Sequence, residues 1–475
     1  MTTHPPPVLV GGPRRGRVLQ IWTPEDKAFW ESQGRAIANL NLWISIPALF
    51  LAFAVWMVWS AVVVQLPAIG FRLGTDELFW LAAMPALSGA TLRIFYSFMV
   101  PIVGGRRWTV LSTLSLLIPA IGIGLAVQDP ATPYWVLLLL AAFCGLGGGN
   151  FSSSMANISF FFPRERKGSA LGLNAGLGNL GVSAVQFMVP LVISVGVFGW
   201  LGGEPTMVTM PNGVAKQIWL QNAGFVWVIP IVVSSLLAFL MMNDIADAKA
   251  SFSEQAVIFG SKHNWIMSWL YLGTFGSFIG FSAGFPLLIK SQFAGVNPLE
   301  FAWMGPFLGA LIRPVGGWLA DRVGGARVTF WNFVAMVIGV LGVLQFLPHE
   351  GDAGSLTGFF ISFMVLFVTA GIGNGSTFRM IPVIFTDECV EAARTRDADA
   401  MAAAAKEGNR QAAAVLGFTA ALGAYGGFFI PKSYGTSIAL SGSPHAALWA
   451  FIAFYVTCIA ITWWFYARRG ASRPC

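Results

Sequence analysis

Two arginines carry the most distinctive chemistry in this sequence. Arg93 and Arg313 each stand deep inside a long apolar run, and each opens the same pattern. Gly89-Ala90-x-x-Arg93 is followed after nine residues by Val103-Gly104-Gly105-x-Arg107-x-Thr109. The pattern recurs 220 positions later as Gly309-Ala310-x-x-Arg313, nine residues, then Val323-Gly324-Gly325-x-Arg327-x-Thr329. A guanidinium in a bilayer interior is costly and faces a partner or a cavity. A buried acid would be the ordinary partner, yet none of the 21 acidic residues falls in mid-run. Asp76, Glu77, Glu300, Asp321, Asp387 and Glu388 flank the ends of runs, and the others lie in connections or tails. Two buried guanidiniums without a carboxylate leave a positive cavity that wants an anion. The planar fork of arginine favours a planar oxyanion, held bidentately.

The elements that must position these arginines are membrane helices. The chain has 475 residues, of which 56% are apolar and 10% charged, against about 25% charged in a soluble domain. That balance excludes a soluble globular enzyme, and it excludes a disordered chain, which would be rich in charge. A bilayer core about 30 Å thick takes about 20 apolar residues per helix. Twelve segments are expected, at roughly 41–68, 77–102, 108–128, 133–161, 167–199, 217–242, 264–289, 299–319, 328–347, 356–385, 411–438 and 446–467. The fold class is thus all-α and polytopic, with both termini on one side.

Cations fix the side, because cytoplasmic connections carry the excess of Lys and Arg. Twenty-one of the 28 fall on the side of the termini. These include Arg14, Arg15, Arg17, Lys249, Arg394, Arg396 and Arg473 in the tails and loops. Only Arg72, Lys216 and Lys290 lie opposite, so both termini are expected in the cytoplasm. The net charge of +7 is then a topology signal and not a nucleic-acid surface. Residues 1–40 do not read as a cleavable signal peptide. Four cysteines and four histidines show no metal-ligand spacing, and neither a metal nor a cofactor is expected.

A second internal match relates Leu171-Gly172-x-x-Ala175-x-Leu177-Gly178-x-x-Gly181 to Leu416-Gly417-x-x-Ala420-x-Leu422-Gly423-x-x-Gly426, offset by 245. Segment 2 therefore corresponds to segment 8, and segment 5 to segment 11. The expected organisation is a tail at 1–40, a six-helix half at 41–242, a cytoplasmic linker at 243–263, a second half at 264–467 and a tail at 468–475. The second half includes a charged, Ala-rich cytoplasmic loop at 387–410. Such parallel repeats around a midplane site are a transporter architecture. The turn Gly317-x-x-x-Asp321-Arg322-x-Gly324-Gly325-x-Arg327 resembles the loop signature of major facilitator transporters, which implies a cytoplasmic latch between the bundle halves built from Asp321, Arg322 and Arg327.

Other polar residues leave alternatives open. Lys432 and Arg379 lie nearer helix ends, and snorkelling to the interface accounts for them. Glycines Gly168, Gly172 and Gly176 stand four apart, a spacing that permits close helix contact. The buried amides of Asn174 and Asn179 need partners, either an anion oxygen or helix carbonyls. Tyr271 and Phe275, one turn apart, face the cavity or simply pack.

The run Gly149-Asn150-Phe151-Ser152-Ser153-Ser154-Met155-Ala156-Asn157, continuing through Pro163 to Lys167-Gly168 and Asn174-x-Gly176-x-Gly178-Asn179, resembles a signature of the nitrate/nitrite porter family of the major facilitator superfamily. The stretch Leu416-Gly417-Phe418 through Gly423 and Gly426-Gly427-Phe428-Phe429-Ile430-Pro431-Lys432 is similar to its second signature. The resemblance runs from about Trp22 to Tyr466 and points to the bacterial nitrate/nitrite antiporters. It implies that Arg93 and Arg313 clamp nitrate, Asn179 and Tyr271 hydrogen-bond it, and Phe151 and Phe275 stack on its two faces. It also implies that Gly168, Gly172, Gly176, Gly423 and Gly426 let helices rock past one another. The expected activity is exchange of nitrate for nitrite across a bacterial inner membrane by a monomer, without catalysis. The residues alone specify an anion; nitrate comes from the resemblance. Absence of mid-span Asp, Glu or His removes the usual proton relays. A proton-coupled nitrate symporter is the nearest alternative, and an anion channel the alternative from another class.

Overall fold

The computed structural model describes residues 18–209, 215–246, 257–349, 352–393, 398–471 and 475. Arg14, Arg15, Arg17, Lys249, Arg394, Arg396 and Arg473, which entered the charge argument, lie outside them.

A helix occupies the greater part of each expected segment. In chain order they are α1 (Lys27–Gln65), α2 (Thr75–Tyr96), α3 (Gly105–Ala126), α4 (Tyr134–Phe161), α5 (Arg164–Val192) and α6 (Asn222–Met241). The second series is α7 (Lys262–Gln292), α8 (Met304–Val323), α9 (Gly325–Phe346), α10 (Leu356–Ala392), α11 (Ala398–Ala424, continuing as Gly426–Ser441) and α12 (His445–Ala467). Among the described residues eleven of these are long and apolar enough to cross a membrane. The remaining one, α8, has 20 residues but carries Arg313, Asp321 and Arg322, so it cannot be apolar throughout.

Three details differ from the sequence expectation. α1 starts at Lys27, capped by the Asp26 carboxylate on the amides of Ala28 and Phe29, so helix enters the expected tail. The connection expected at 387–410 is largely helical, because α10 runs to Ala392 and α11 begins at Ala398. Its alanine-rich sequence has high helix propensity. Beyond α5, strands β2 (Thr206–Thr209) and β3 (Ala215–Ile218) form an antiparallel hairpin.

The internal match in sequence is also a match in packing. α2 lies against α4 and α11, while α8 lies against α10 and α5; α1 packs on α5, and α7 on α11. Exchanging the two halves maps each of these contacts onto another. The turns after α2 and α8 agree as well: Gly104 and Gly324 have φ of +96° and +99°, a region that only glycine enters freely. At the first turn the polar partner is Asp244. Its carboxylate accepts the Arg106 amide at 2.8 Å and pairs with the Arg106 guanidinium at 3.3 Å. Short parallel strands β1 (Val18–Leu19) and β4 (Asp244–Ile245) hold the N-terminal segment beside the same turn.

Candidate functional site

The site is built where α1, α2, α4, α7, α8, α10 and α11 converge. Arg93 is wholly buried, and Arg313 is 8% exposed. Arg93 Nε donates to the Gly148 carbonyl of α4 at 2.9 Å, and Nη1 donates to the Ala420 carbonyl of α11 at 2.8 Å. The second bond crosses from one half of the molecule to the other. Three rings cradle the same guanidinium, with centroids 5.0 Å away for Trp56, 4.8 Å for Phe151 and 5.2 Å for Phe275. A desolvated cation over aromatic faces gains about 2 kcal/mol, which offsets part of the cost of burial.

Close approach of helices makes this cradle. Trp56 donates its indole N–H to the Pro85 carbonyl at 2.7 Å. A Cβ on either Gly89 or Gly148 would stand 2.7 Å from that indole, so only glycine leaves room for the tryptophan. In α7 the backbone widens to a π turn at Leu272–Gly276, an irregularity common at functional positions. Tyr271, just before it, and Phe275, within it, have stacked rings, 5.3 Å between centroids and 21° between planes. Phe275 also faces Phe151 across the halves at 6.4 Å and 27°. Arg313 Nη2 makes a long 3.5 Å contact to the Tyr271 hydroxyl, and its guanidinium lies 5.3 Å from the Phe378 ring centroid. A continuous series thus links Arg93, Phe275, Tyr271 and Arg313.

Several polar atoms of this group remain without partners among the described residues. Arg93 Nη2, Arg313 Nη1 and both amide atoms of Asn179 are buried and make no hydrogen bond there. Such groups are expensive unless something satisfies them. The described ion pairs Arg106–Asp244, Arg379–Asp321, Arg410–Glu407 and Lys432–Asp76 involve neither central arginine.

Five of the residues singled out in the sequence therefore come together: Arg93, Arg313, Tyr271, Phe151 and Phe275. Asn179 is buried, but among the described residues no hydrogen bond ties it to them. Trp56, Phe378 and the carbonyls of Gly148 and Ala420 were not foreseen. A tryptophan in an apolar helix carries no sequence signal, and a backbone carbonyl carries none at all.

The glycines divide. A Cβ on Gly423 would stand 2.8 Å from the Tyr271 ring, and one on Gly426 would stand 2.3 Å from Gly276 Cα. These are close-contact positions. Gly168, Gly172 and Gly176, expected to bring helices together, instead have nothing within 4 Å of where a Cβ would stand, and the same holds for Gly417. Their stripe faces open space toward the end of the molecule that holds Val18 and Cys475.

The two cations expected to snorkel each have an acidic partner. Lys432 pairs with Asp76 and lies 4.9 Å from the Trp80 centroid. Arg379 pairs with Asp321, so the Asp321 latch closes between α8 and α10 within one half and does not bridge the halves. Arg322 lies over Trp318 at 4.1 Å, and Arg327 is exposed.

Comparison with known proteins identifies the family. Residues 48–431 match the family model of the Major Facilitator Superfamily. The chain is 52% identical over 452 residues to the "Nitrate/nitrite transporter NarU" of Salmonella typhimurium, covering 95% of this chain and 96% of that one. It is 42% identical to the "Probable nitrate/nitrite antiporter NarK2" of Thermus thermophilus, covering 97% and 99%. Among solved structures it resembles a D-xylose-proton symporter, with TM-score 0.64 at 14% identity over 90% of this chain and 97% of that one. That likeness speaks to the fold alone. The chain belongs to the major facilitator superfamily and, within it, to the nitrate/nitrite transporter family.

Proposed function

We propose that this chain exchanges nitrate for nitrite by alternating access, with the anion held between Arg93 and Arg313. The observation that carries this reading is the set of buried, unpartnered N–H groups on Arg93, Arg313 and Asn179, with no described carboxylate paired to either arginine. An anion supplies the missing acceptors and charge in one step. The aromatic geometry favours a flat one. A planar anion between two rings needs about 7 Å, twice a contact of about 3.5 Å, and Phe151 and Phe275 stand 6.4 Å apart. A slight parting of the halves admits it.

Exchange follows from the same charges. With no anion bound, two like charges face one buried cavity, and the empty site resists closing around them. A loaded site is nearer neutral and reorients, so each crossing carries an anion. Nitrate enters and nitrite leaves, in a bacterial inner membrane with both termini in the cytoplasm. No mid-span carboxylate or histidine offers a proton relay, which favours exchange over proton symport.

Labelled-nitrate counterflow tests this in proteoliposomes. Internal nitrite is expected to accelerate nitrate entry, and a pH gradient to leave it unchanged. Entry without internal anion that moves protons into or out of the lumen would show symport instead. Arg313→Lys keeps the charge but removes the fork, and at least about a tenfold loss of nitrate affinity is expected from a lost bidentate contact. Retained affinity would sink the clamp.

A further inference from the structure

The end of the molecule away from the termini is closed by seams between its two halves. Along one seam, α2 and α11 run antiparallel and meet at successive levels. Asp76 pairs with Lys432 outermost. Next, Trp80 packs on Phe428 at 5.6 Å, and the Lys432 ammonium lies 4.9 Å from the Trp80 centroid. Gly435, at the level of Asp76, and Gly427, further in, allow the helices to touch, since a Cβ on Gly435 would stand 2.7 Å from Phe79 Cβ and one on Gly427 would stand 2.7 Å from Ala86 Cβ. Thr91 and Tyr425 share a 2.9 Å hydrogen bond, and below them Arg93 donates to Ala420.

The pseudo-equivalent seam, between α5 and α8, has no ion pair at this end among the described residues. There Phe187 packs edge-on against Trp303 at 5.2 Å. The repeat offsets of 245 and 220 place Phe187 opposite Lys432 and Val296 opposite Asp76. One architecture is therefore built twice, once with an ion pair and once without. The fold does not need the charges; the seam that contains them has some other use for them.

We infer that Asp76 and Lys432, with Trp80 beneath the ammonium, form an ionic gate on the outer path to the site. The pair joins the two halves, so it must separate whenever that end opens. Its side chains are 37% and 22% exposed, so water takes over both charges as they part. A pair that is partly solvated is weak, and losing it changes a conformational equilibrium by only about fivefold. That suits a gate, which has to break and re-form in every cycle. The opposite end, where Gly168, Gly172, Gly176 and Gly417 face open space, is already parted.

The inference rests on alternating access as proposed above, and its test needs no nitrate. Thr91→Cys is placed in a chain whose Cys144, Cys389, Cys458 and Cys475 are serine. A membrane-impermeant maleimide is then added only from the side away from the termini. Asp76→Asn and Lys432→Met are each expected to speed labelling about fivefold, and the double variant Asp76→Lys with Lys432→Asp to bring it back toward the parent. Single variants that label at the parental rate overturn the gate, as does a charge-reversed pair that labels as fast as the singles. A variant that fails to accumulate leaves the other single and the reversed pair to decide. A parent that exchanges nitrate yet never labels from that face overturns the gate together with alternating access.

Discussion

At the scale of the residue, the two arginines are not equivalent. Arg93 is tied by two carbonyls and three rings, one carbonyl and one ring belonging to the other half. Arg313 has one long contact to a hydroxyl and one ring. Hydrogen bonds from a charged donor contribute about 1.5–3 kcal/mol each. Arg93→Lys should therefore weaken nitrate binding and also lower the thermal midpoint of the purified protein. Arg313→Lys should weaken binding with little change in midpoint. Calorimetric nitrate binding and thermal unfolding, run on the same samples, separate the two; equal midpoint losses would show that Arg93 is no more structural than Arg313. The arginines were legible in the sequence because a charge in an apolar run is conspicuous and no acid accompanied it. The pairing of Lys432 was not legible because its partner Asp76 is 356 residues away, a distance that no local pattern spans. Trp56 was invisible because its role depends on Gly89 and Gly148 from two other helices.

At the scale of the element, the two signature helices present different faces. Helix identity, order and repeat correspondence could be read from apolar length and charge. The surroundings of the glycines could not, because four-residue spacing shows which residues share a face but not what lies opposite. In α11, Gly423 adjoins Tyr271; in α5, Gly172 adjoins nothing. An added methyl at 2.8 Å is overpacking, which costs about 1–3 kcal/mol. Gly423→Ala should thus displace Tyr271 and reduce both nitrate affinity and transport. Gly172→Ala meets no neighbour, and replacing a helix glycine stabilises by about 0.5–1 kcal/mol. It should keep or raise the thermal midpoint yet slow transport, since the stripe must be covered when the end bearing the termini closes. Full transport by Gly172→Ala would mean that this face never meets the other half.

At the scale of the whole molecule, charge placement constrains what crosses with the anion. The described ion pairs, at Asp76, Asp244, Asp321 and Glu407, leave out the two central arginines, which are buried inside the protein. A carrier that moves one monovalent anion inward and one outward per cycle displaces no net charge. Moving an unbalanced charge through a membrane is worth about 2.3 kcal/mol per 100 mV, nearly a fiftyfold bias in a gradient. Nitrate–nitrite exchange in proteoliposomes clamped at 0 and at about 100 mV should therefore proceed at the same rate and to the same end point. An anion channel through the same fold would respond strongly, because each nitrate would carry its charge alone. The measurement thus addresses the alternative that residue-level variants cannot, since a channel and an exchanger would both need Arg93 and Arg313. A voltage-dependent end point with both anions present would set exchange aside in favour of uncoupled conduction.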